Sequence, residues 1–380
     1  MNCIRRLYFD HAATSYPKPP TVFDAIGRAL TLAAGNPGRS AHALAVCAAE
    51  EIYATRETLA RFFDASSAEG VVFTLNATHA LNVAIASACH GGGHVLCSDI
   101  EHNAVLRPLA ALARAGRIRY EVFPSEGNVR EHVKERLRAD TVLVVLNHAS
   151  NVFGRVTPIR EVGALCKERG IYFVVDASQS AGHIPISVRR MGINALCLPA
   201  HKGLYGILGA GAVIFEGDTL PHPLLYGGSG AFSRLPDMPE MLPERLEAGS
   251  LPVPAVLALG AGVRFVEEKG VEAVADHVAA LEALLHEHLA EIKGIRVHRA
   301  HERGSGSVSF THESLSPALL AERLDEAGVA VRSGLHCAPL AHEVIGTARE
   351  GTVRASVGLQ STKEECFALF ERLSEIVKTV

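Results

Sequence analysis

Two reactive residues, a lysine and an aspartate, follow short apolar runs of the sequence. Lys202 lies between Pro199 and a glycine-rich stretch, and Asp176 follows the run 172–175. A buried lysine can form a Schiff base with an aldehyde, and a carboxylate can hold a proton on a pyridine nitrogen. Pyridoxal 5′-phosphate (PLP) requires both groups from its protein. If both residues lie at strand ends beside one pocket, the pair predicts a PLP enzyme.

Other polar residues could complete such a site, although each also has an ordinary structural role. Gln179 and Asn151 could hydrogen-bond a ring oxygen of the cofactor. His102 could stack on the pyridine ring and move protons, since histidine titrates at about pH 6.5, or it could simply cap a helix. Residues 76–78 are predicted to begin a helix. The N–H groups at this helix start could bind a phosphate, or the segment could be an ordinary N-cap with no ligand.

A second reactive segment is RSGLHCAPL, residues 332–340. A free cysteine is usually a small buried hydrophobic residue, but Cys337 is predicted to lie in a loop near Arg332. Cationic neighbours lower the pKa of a thiol and make its thiolate available as a nucleophile. Arg354 is a second cation, and a guanidinium can grip a carboxylate through two hydrogen bonds.

Three other kinds of site are disfavoured. A dinucleotide fingerprint needs a helix after its glycines, whereas Gly211 leads into the apolar run 212–215, which is typical of a strand. A Walker-type phosphate loop is excluded because no glycine precedes a lysine anywhere in the chain. Cys89, His90, His94 and Cys97 do not follow structural-zinc spacing, so no metal site is predicted.

The reactive residues follow β-branched runs that alternate with helical patterns. The runs are 71–75, 95–98, 120–123, 142–146, 172–175, 195–198 and 212–215. Such runs, joined by helical crossovers, predict a mainly parallel seven-stranded sheet covered on both faces. Ligands of these sheets bind beyond the carboxyl ends of the strands. We therefore expect 76–78, 101–102, 150–151, 176 and 201–202 to meet at one edge.

The length of the chain and a change in its sequence pattern after about residue 255 indicate two domains. At 380 residues the chain exceeds the size of one typical core. After about residue 255, a helical stretch over 271–293 leads to short runs at 295–297, 307–310, 329–332 and 352–355. We predict a large domain over 15–255, and a smaller α+β domain formed by 1–14 and 256–380, which carries the Cys337 loop and ends in a helix.

Composition limits the partners and the compartment. The net charge is −4 and no block of lysines and arginines occurs, so neither nucleic acid nor a membrane surface is an expected partner. The eight cysteines lack paired spacing, which favours reduced thiols. No signal peptide or membrane span is evident, and we expect a cytoplasmic protein.

Ten ordered motifs carry a family resemblance across nearly the whole chain. They are YFDHAAT (8–14), GNPGRSAH (35–42), FTLNATHALN (73–82), EHNAV (101–105), NHASNVFG (147–154), DASQSAG (176–182), HKGLYG (201–206), EAGS (247–250), RSGLHC (332–337) and VRAS (353–356). In this order they resemble the class V aminotransferase-like cysteine desulfurases. The resemblance implies a PLP-dependent transferase of fold type I, usually a homodimer with active sites near the subunit boundary.

The resemblance also implies roles for individual residues. Lys202 corresponds to the Schiff-base lysine, Asp176 to the partner of the pyridinium, and His102 to the stacking residue. Gln179 and Asn151 would contact the ring oxygen of the cofactor. Ala77, Thr78 and His201 would surround its phosphate, together with Ser250 of the partner subunit. Asn151, Arg332 and Arg354 would bind the substrate, with Arg354 on its carboxylate, and Cys337 would take its sulfur.

Some positions depart from the family pattern. Pro199 and Ala77 stand where many relatives have hydroxyl residues, His79 replaces a common acid, and Ser250 replaces a threonine. Because N–H groups at the helix start remain, we expect PLP to stay bound.

The function implied is conversion of L-cysteine to L-alanine, with transfer of sulfur to Cys337 as a persulfide and then to an acceptor protein or a thiol. Three alternatives remain open. The sequence His-Cys-Ala at residues 336–338 resembles that of the desulfurase group that includes selenocysteine lyase-like enzymes. The chain could also be another class V PLP lyase, epimerase or aminotransferase acting on a different amino acid, or a non-catalytic partner that kept the fold.

Overall fold

The computed structural model describes residues 6–38, 40–217, 219–298 and 304–378. Its strands are β1 (Leu7–Tyr8), β2 (Val71–Thr74), β3 (Gly93–Ser98), β4 (Ile118–Phe123), β5 (Thr141–Asn147), β6 (Tyr172–Asp176), β7 (Ala195–Pro199), β8 (Gly211–Phe215), β9 (Ile295–His298), β10 (Ser307–His312), β11 (Val329–Ala330), β12 (Arg332–Gly334) and β13 (Thr352–Ser356). Its helices are α1 (Pro20–Thr31), α2 (Ala43–Phe62), α3 (Ala77–Ala88), α4 (Asn103–Arg114), α5 (Val129–Arg136), α6 (Ile159–Arg169), α7 (Val253–Lys269), α8 (Val271–Glu291), α9 (Pro317–Glu326), α10 (Pro339–Val344) and α11 (Lys363–Lys378).

All the runs predicted to be strands between residues 71 and 215 join one sheet of seven strands, in the order β2-β8-β7-β6-β5-β3-β4. Strands β3 to β7 pair in parallel, and β8 runs antiparallel to both β7 and β2. The mainly parallel α/β architecture is therefore confirmed. Two connections differ from the expected helical crossover. Residues 177–194, which link the parallel strands β6 and β7, form turns but no helix, and residues 200–210, which link β7 to β8, also form no helix. A short link suffices between β7 and β8 because antiparallel neighbours need no crossover.

The sheet is buried on both faces because its side chains alternate in direction. Along β7, Leu196 and Leu198 pack into one apolar cluster, whereas Ala195 and Cys197 pack into another on the opposite face. Burial of a leucine side chain stabilises a fold by about 1.5–3 kcal/mol. A continuous apolar run is therefore what a central strand of this sheet requires.

Residue types that favour helix ends cap three of the helices. Gly170 ends α6 in the left-handed conformation with a φ of 64°. The Ser316 hydroxyl accepts the Leu319 N–H at the start of α9. Before α11, Thr362 and Glu365 exchange hydrogen bonds between side chain and backbone as a capping box.

The C-terminal region builds a four-stranded antiparallel sheet in the order β12-β13-β10-β9. Its apolar cluster includes side chains of α8, α9 and α11, while α7 contributes Leu259 to the large-sheet cluster and Val266 to this one. The predicted run 329–332 is interrupted at Val331, so that β11 pairs with β1 and β12 pairs with β13. Residues 1–5 of the expected small domain lie outside the described residues.

The N-terminal segment links the two sheets. Strand β1 pairs in parallel with β11, and Asp10 forms a β-bridge with Ser356. Beyond it, the Gln179 side chain donates to the Ala12 carbonyl oxygen (2.9 Å) near the end of β6. This segment therefore connects residues of the large sheet with β11 and β13. In the described parts of the chain, no helix has the length and apolarity needed to cross a membrane.

Candidate active site

Eight of the residues predicted for the site line a single cavity at the carboxyl edge of the large sheet. They are Ala77, Thr78, His102, Asn151, Asp176, Gln179, His201 and Lys202. They end or follow β2, β3, β5, β6 and β7, or lie at the start of the helix that comes next. The topology thus brings together residues distant in sequence, as expected for parallel strands.

The amine of Lys202 is free at the wall of this cavity. It makes no hydrogen bond or ion pair within the described residues, although Asp176 lies close enough to act on its charge. Burial lowers the pKa of Lys202 to about 8; Asp176 opposes this shift, while Arg354 and Arg332 add to it. An appreciable fraction of Lys202 is therefore an uncharged, nucleophilic amine near neutral pH.

The peptide preceding Lys202 is fixed by the N-terminal segment. The carbonyl oxygen of His201 accepts hydrogen bonds from Ser15 N (3.0 Å), Ser15 Oγ (3.1 Å), Thr14 Oγ1 (3.0 Å) and Lys18 Nζ (2.9 Å). On the other side, a Cβ at Gly203 would lie 2.4 Å from the Ala181 carbonyl oxygen, which only glycine avoids. These contacts hold the backbone at Lys202.

Two carboxyl groups lie at the ends of β3 and β6. Asp176 pairs in register with Asn147, and its Oδ1 accepts the Ser178 N–H (2.9 Å). Glu101 is fully buried; its Oε1 accepts from Ser98 Oγ (2.5 Å) and Asn147 N (2.7 Å). Its Oε2 has no partner in the described part of the chain. Burial raises the pKa of Glu101 to about 8, and the Asp176 charge adds to the effect.

This buried acid predicts a pH effect on stability. Because the pKa of Glu101 lies above the ordinary value of 4.5 in the folded chain, the folded state keeps a proton that the unfolded state loses between about pH 4.5 and pH 8. Glu101 therefore lowers stability as pH rises through this window. We expect the free energy of unfolding of Glu101→Gln, relative to wild type, to rise by up to about 1.4 kcal/mol per pH unit there.

Urea unfolding at pH 5.5 and pH 7.5 measures this difference. Glu57→Gln, the same chemical change at an exposed position of α2, is the matched control and should leave the pH slope of stability unchanged. A Glu101→Gln variant with the same pH slope as wild type would show that Glu101 is ionised throughout.

His102 caps a helix, which is one of the two roles that its sequence position suggested. It is the N-cap of α4, and its Nδ1 accepts the Ala104 N–H (3.0 Å) while the ring lines the cavity. Burial lowers the pKa of His102 to about 4, with Asp176 opposing the shift and Lys202 favouring it. The ring is therefore neutral at pH 7 and carries its proton on Nε2.

The start of α3 offers hydrogen-bond donors to an anion. Asn76 Oδ1 caps the helix by accepting the His79 N–H (2.9 Å), while the N–H groups of Ala77 and Thr78 have no acceptor within the described residues. His201 Nδ1 is also buried without a partner there. Together with the helix dipole, these groups suit a phosphate. Pro199 lines the same cavity and supplies no hydroxyl.

Cys337 lies in a tight turn attached to the cavity wall. His336 and Cys337 have positive φ angles of 48° and 59°, and the Cys337 thiol is exposed. The Cys337 carbonyl oxygen accepts the Asn103 N–H (2.7 Å), and Asn151 Nδ2 donates to the His336 carbonyl oxygen (2.6 Å). Arg332 Nη2 lies 3.9 Å from the Cys337 sulfur. The turn therefore adjoins both His102 and Asn151, beside a cation.

Arg354 is buried and already carries two hydrogen-bond partners. Its Nη1 donates to the Asn151 carbonyl oxygen (2.9 Å) and its Nη2 to Asp10 Oδ1 (2.7 Å). Burial lowers the pKa of Arg354, and Asp10 opposes that shift. No role is predicted for Asp10 from the sequence.

Ser250 is the one predicted cofactor-binding residue outside the cavity. It is exposed, and its Oγ accepts a hydrogen bond from Asn36 Nδ2 (3.2 Å). Earlier in the same motif, buried Glu247 accepts from Phe73 N (2.6 Å) and pairs with Arg56 (2.5 Å), which anchors this loop to β2. A location outside the cavity of its own chain is compatible with the expected contact across a subunit boundary.

A larger cavity of about 940 Å³ lies elsewhere, with Glu126, Arg155 and Glu272 among its lining residues. None of the predicted site residues lines it. Convergence of reactive groups, rather than size, therefore identifies the candidate active site.

Comparison with known proteins tests the family. The family model described as aminotransferase class-V matches residues 7–369. The chain belongs to the aminotransferase class-V family. Among curated family members, it is 32% identical to a probable cysteine desulfurase of Methanothermobacter thermautotrophicus, over 97% of this chain and 94% of that one. It is 30% identical to the cysteine desulfurase IscS of Dictyoglomus turgidum, over 99% of this chain and 96% of that one.

Solved structures of similar chains have the same fold. The apo structure of a cysteine desulfurase from Thermococcus onnurineus is 28% identical and superimposes with a TM-score of 0.91, covering 99% of this chain and 95% of that one. The cysteine desulfurase CsdA from Escherichia coli is 25% identical with a TM-score of 0.88, covering 99% and 95%. The expected family resemblance and fold are confirmed.

The contacts of the N-terminal segment with the site are not predicted by the sequence. Asp10, Thr14, Ser15 and Lys18 belong to or follow the motif YFDHAAT, but their partners Arg354 and His201 are far away in the sequence. The YFDHAAT motif indicates that this segment is part of the family pattern, but it does not show which residues the segment contacts. A single sequence carries no information about such pairings.

Proposed function

We propose that this chain is a PLP-dependent cysteine desulfurase that converts L-cysteine to L-alanine and carries the sulfur on Cys337 as a persulfide. The full-length similarity to proteins named cysteine desulfurase supports this reaction. The observation that carries the proposal is the position of Cys337. Its exposed thiol is 3.9 Å from Arg332, in a turn bonded to the residue after His102.

The groups in the cavity fit PLP. The free Lys202 amine suits the aldehyde, and Asp176 suits a protonated ring nitrogen. The unpartnered Asn151 Oδ1 lies beside them, as does the Gln179 side chain, whose Nε2 also donates to the Ala12 carbonyl oxygen. The N–H groups at the start of α3 and His201 would hold the phosphate. When bound, PLP supplies an aldehyde that condenses with amines and a protonated ring that withdraws electrons from the substrate Cα.

The side chains of the protein then have distinct tasks. The lowered pKa of Lys202, about 8, lets its amine take the proton from the substrate Cα and return one at a later step. Asp176 keeps a proton on the ring nitrogen of the cofactor. Neutral His102 covers the cavity and donates only through Nε2-H. Arg354, assisted by Arg332, binds the substrate carboxylate, which orients the substrate sulfur toward the Cys337 turn.

Sulfur transfer requires the thiolate of Cys337. Its sulfur attacks the substrate sulfur, a new S–S bond forms, and the Cβ–S bond breaks with its electron pair left on carbon. Protonation of that carbon gives alanine. The Arg332 guanidinium, 3.9 Å from the Cys337 sulfur, is the cation beside this nucleophile. An exposed persulfide on Cys337 is accessible to a sulfur-acceptor protein or a small thiol.

We further propose a cytoplasmic homodimer in which Ser250 of the partner subunit completes the phosphate site. Large exposed apolar side chains are concentrated in the segment before Ser250: Leu220, Leu224, Leu225, Tyr226, Phe232, Leu235 and Met241. Apolar patches of this kind mark protein interfaces. Within each subunit, residues 15–255 would bind PLP, and 1–14 with 256–380 would carry Cys337.

Incubation of the purified yellow protein with L-cysteine tests the function. We expect one alanine per sulfur transferred and, by mass spectrometry, an extra sulfur atom on the peptide containing Cys337. Formation of an amine or keto acid without alanine would contradict the proposal and favour a different PLP reaction. Parallel rates on L-selenocysteine separate a desulfurase from a selenocysteine lyase.

A further inference from the structure

Arg354, the residue proposed to bind the substrate carboxylate, is already paired with a carboxylate of its own chain. Asp10 Oδ1 accepts from its Nη2 at 2.7 Å. The Asp10 side chain is 23% exposed and that of Arg354 only 1%, so the pair opens to solvent on the Asp10 side. Nη1 is committed to the Asn151 carbonyl oxygen, and Nε is buried without a partner in the described part of the chain.

The Asp10 carboxylate has no other anchor among the described residues. The nearby Tyr8 hydroxyl donates to the backbone carbonyl oxygens of Asp10 (3.3 Å) and Thr14 (2.8 Å), not to the Asp10 side chain. The charged and titratable groups that interact electrostatically with Arg354 include Arg332, Tyr8, Lys202 and His336, and Lys202 also interacts with Asp10. The backbone of Asp10 is therefore held, while its carboxylate has Arg354 as its one partner among the residues that the structure describes.

We propose that Asp10 is an internal competitor for the substrate carboxylate, which occupies Arg354 in the ligand-free chain and yields it to the incoming substrate. This inference rests on the proposed function of Arg354. A buried guanidinium without a counter-charge is costly, so Asp10 stabilises the site before substrate arrives. Exchange of one carboxylate for another on Arg354 then contributes little net binding free energy.

Competition of this kind makes the site selective. A ligand that has only a carboxylate gains little binding free energy at Arg354, because it must displace the Asp10 carboxylate. An α-amino acid has a second anchor, since its amine reacts where Lys202 lies. Asp10 thereby discriminates against simple carboxylic acids, and its removal should open Arg354 to them.

Propionate, a carboxylate without an α-amino group, is the probe. In the holoenzyme, Asp10→Asn should bind propionate about tenfold more tightly than wild type, measured by inhibition of L-cysteine turnover and by calorimetry. Asp10→Glu keeps the charge and should bind propionate as weakly as wild type does. Without ligand, Asp10→Asn should melt at a lower temperature, and propionate should raise its melting temperature more than that of wild type.

Asp24→Asn, at an exposed position of α1, is the matched control and should behave as wild type. Propionate binding to Asp10→Asn that is equal to or weaker than binding to wild type would overturn the competitor role and favour a purely orienting one. Calorimetry and melting do not require turnover. An enzyme inactive on L-cysteine that still shows the propionate effect would refute the proposed reaction and leave the competition intact.

Discussion

Cys337→Ser should lose cysteine-dependent sulfur transfer by roughly three orders of magnitude or more while remaining yellow. Serine keeps the size of the side chain and the backbone hydrogen bond from Asn103, but its hydroxyl is not ionised near Arg332 and cannot accept sulfur. Alanine formation, and sulfide release in the presence of a reducing thiol, measure the loss of sulfur transfer. The yellow absorbance of the bound cofactor measures whether PLP is retained.

Cys47→Ser is the control for this experiment. Cys47 is also free and partly exposed, but it lies on α2, far in sequence from every residue of the cavity. Its replacement should leave alanine formation unchanged. Full turnover by Cys337→Ser would remove Cys337 from the mechanism, and loss of the yellow colour would show that its turn is needed to bind the cofactor.

Lys202→Ala should abolish turnover, by roughly three orders of magnitude or more, because both the covalent attachment of PLP and the proton transfer at the substrate Cα depend on the same amine. The variant should also release PLP on dialysis more readily than wild type. The rest of the site should persist, since Ser15, Thr14 and Lys18 bind the backbone at His201 rather than the Lys202 side chain.

Spectra before and after dialysis, together with alanine assays, measure these effects. Lys167→Ala, at an exposed position of α6, is the matched control and should keep both the colour and the activity. A small amine added to Lys202→Ala should restore part of the proton transfer. Undiminished alanine formation by Lys202→Ala would assign the proton transfer to another group.

The fold and most of the cavity could be predicted because their signals are local. Apolar runs identify the strands of a sheet buried on both faces, and Gly170, Ser316 and the Thr362–Glu365 box identify helix ends through single-residue chemistry. Parallel strands bring their carboxyl ends to one edge, so residues such as His102 and Asp176 could be expected to meet. Motif order then indicated the family.

Other features depend on contacts between distant segments. Nothing near Val331 in the sequence shows that it separates two strands of different sheets, because each half has its own partner, β1 or β13. The antiparallel direction of β8 likewise follows from the short link over 200–210 and its packing between β7 and β2.

By itself, the sequence determined the reactive groups of this protein: Lys202, Asp176 and His102 after their strands, and Cys337 near Arg332. Side-chain chemistry and local periodicity suffice for that. Only the tertiary structure decided the state of those groups. It buries Lys202 so that its pKa falls to about 8, and it pairs Arg354 with Asp10. Desolvation and charge pairing depend on what surrounds a group in space, and those neighbours come from both ends of the chain.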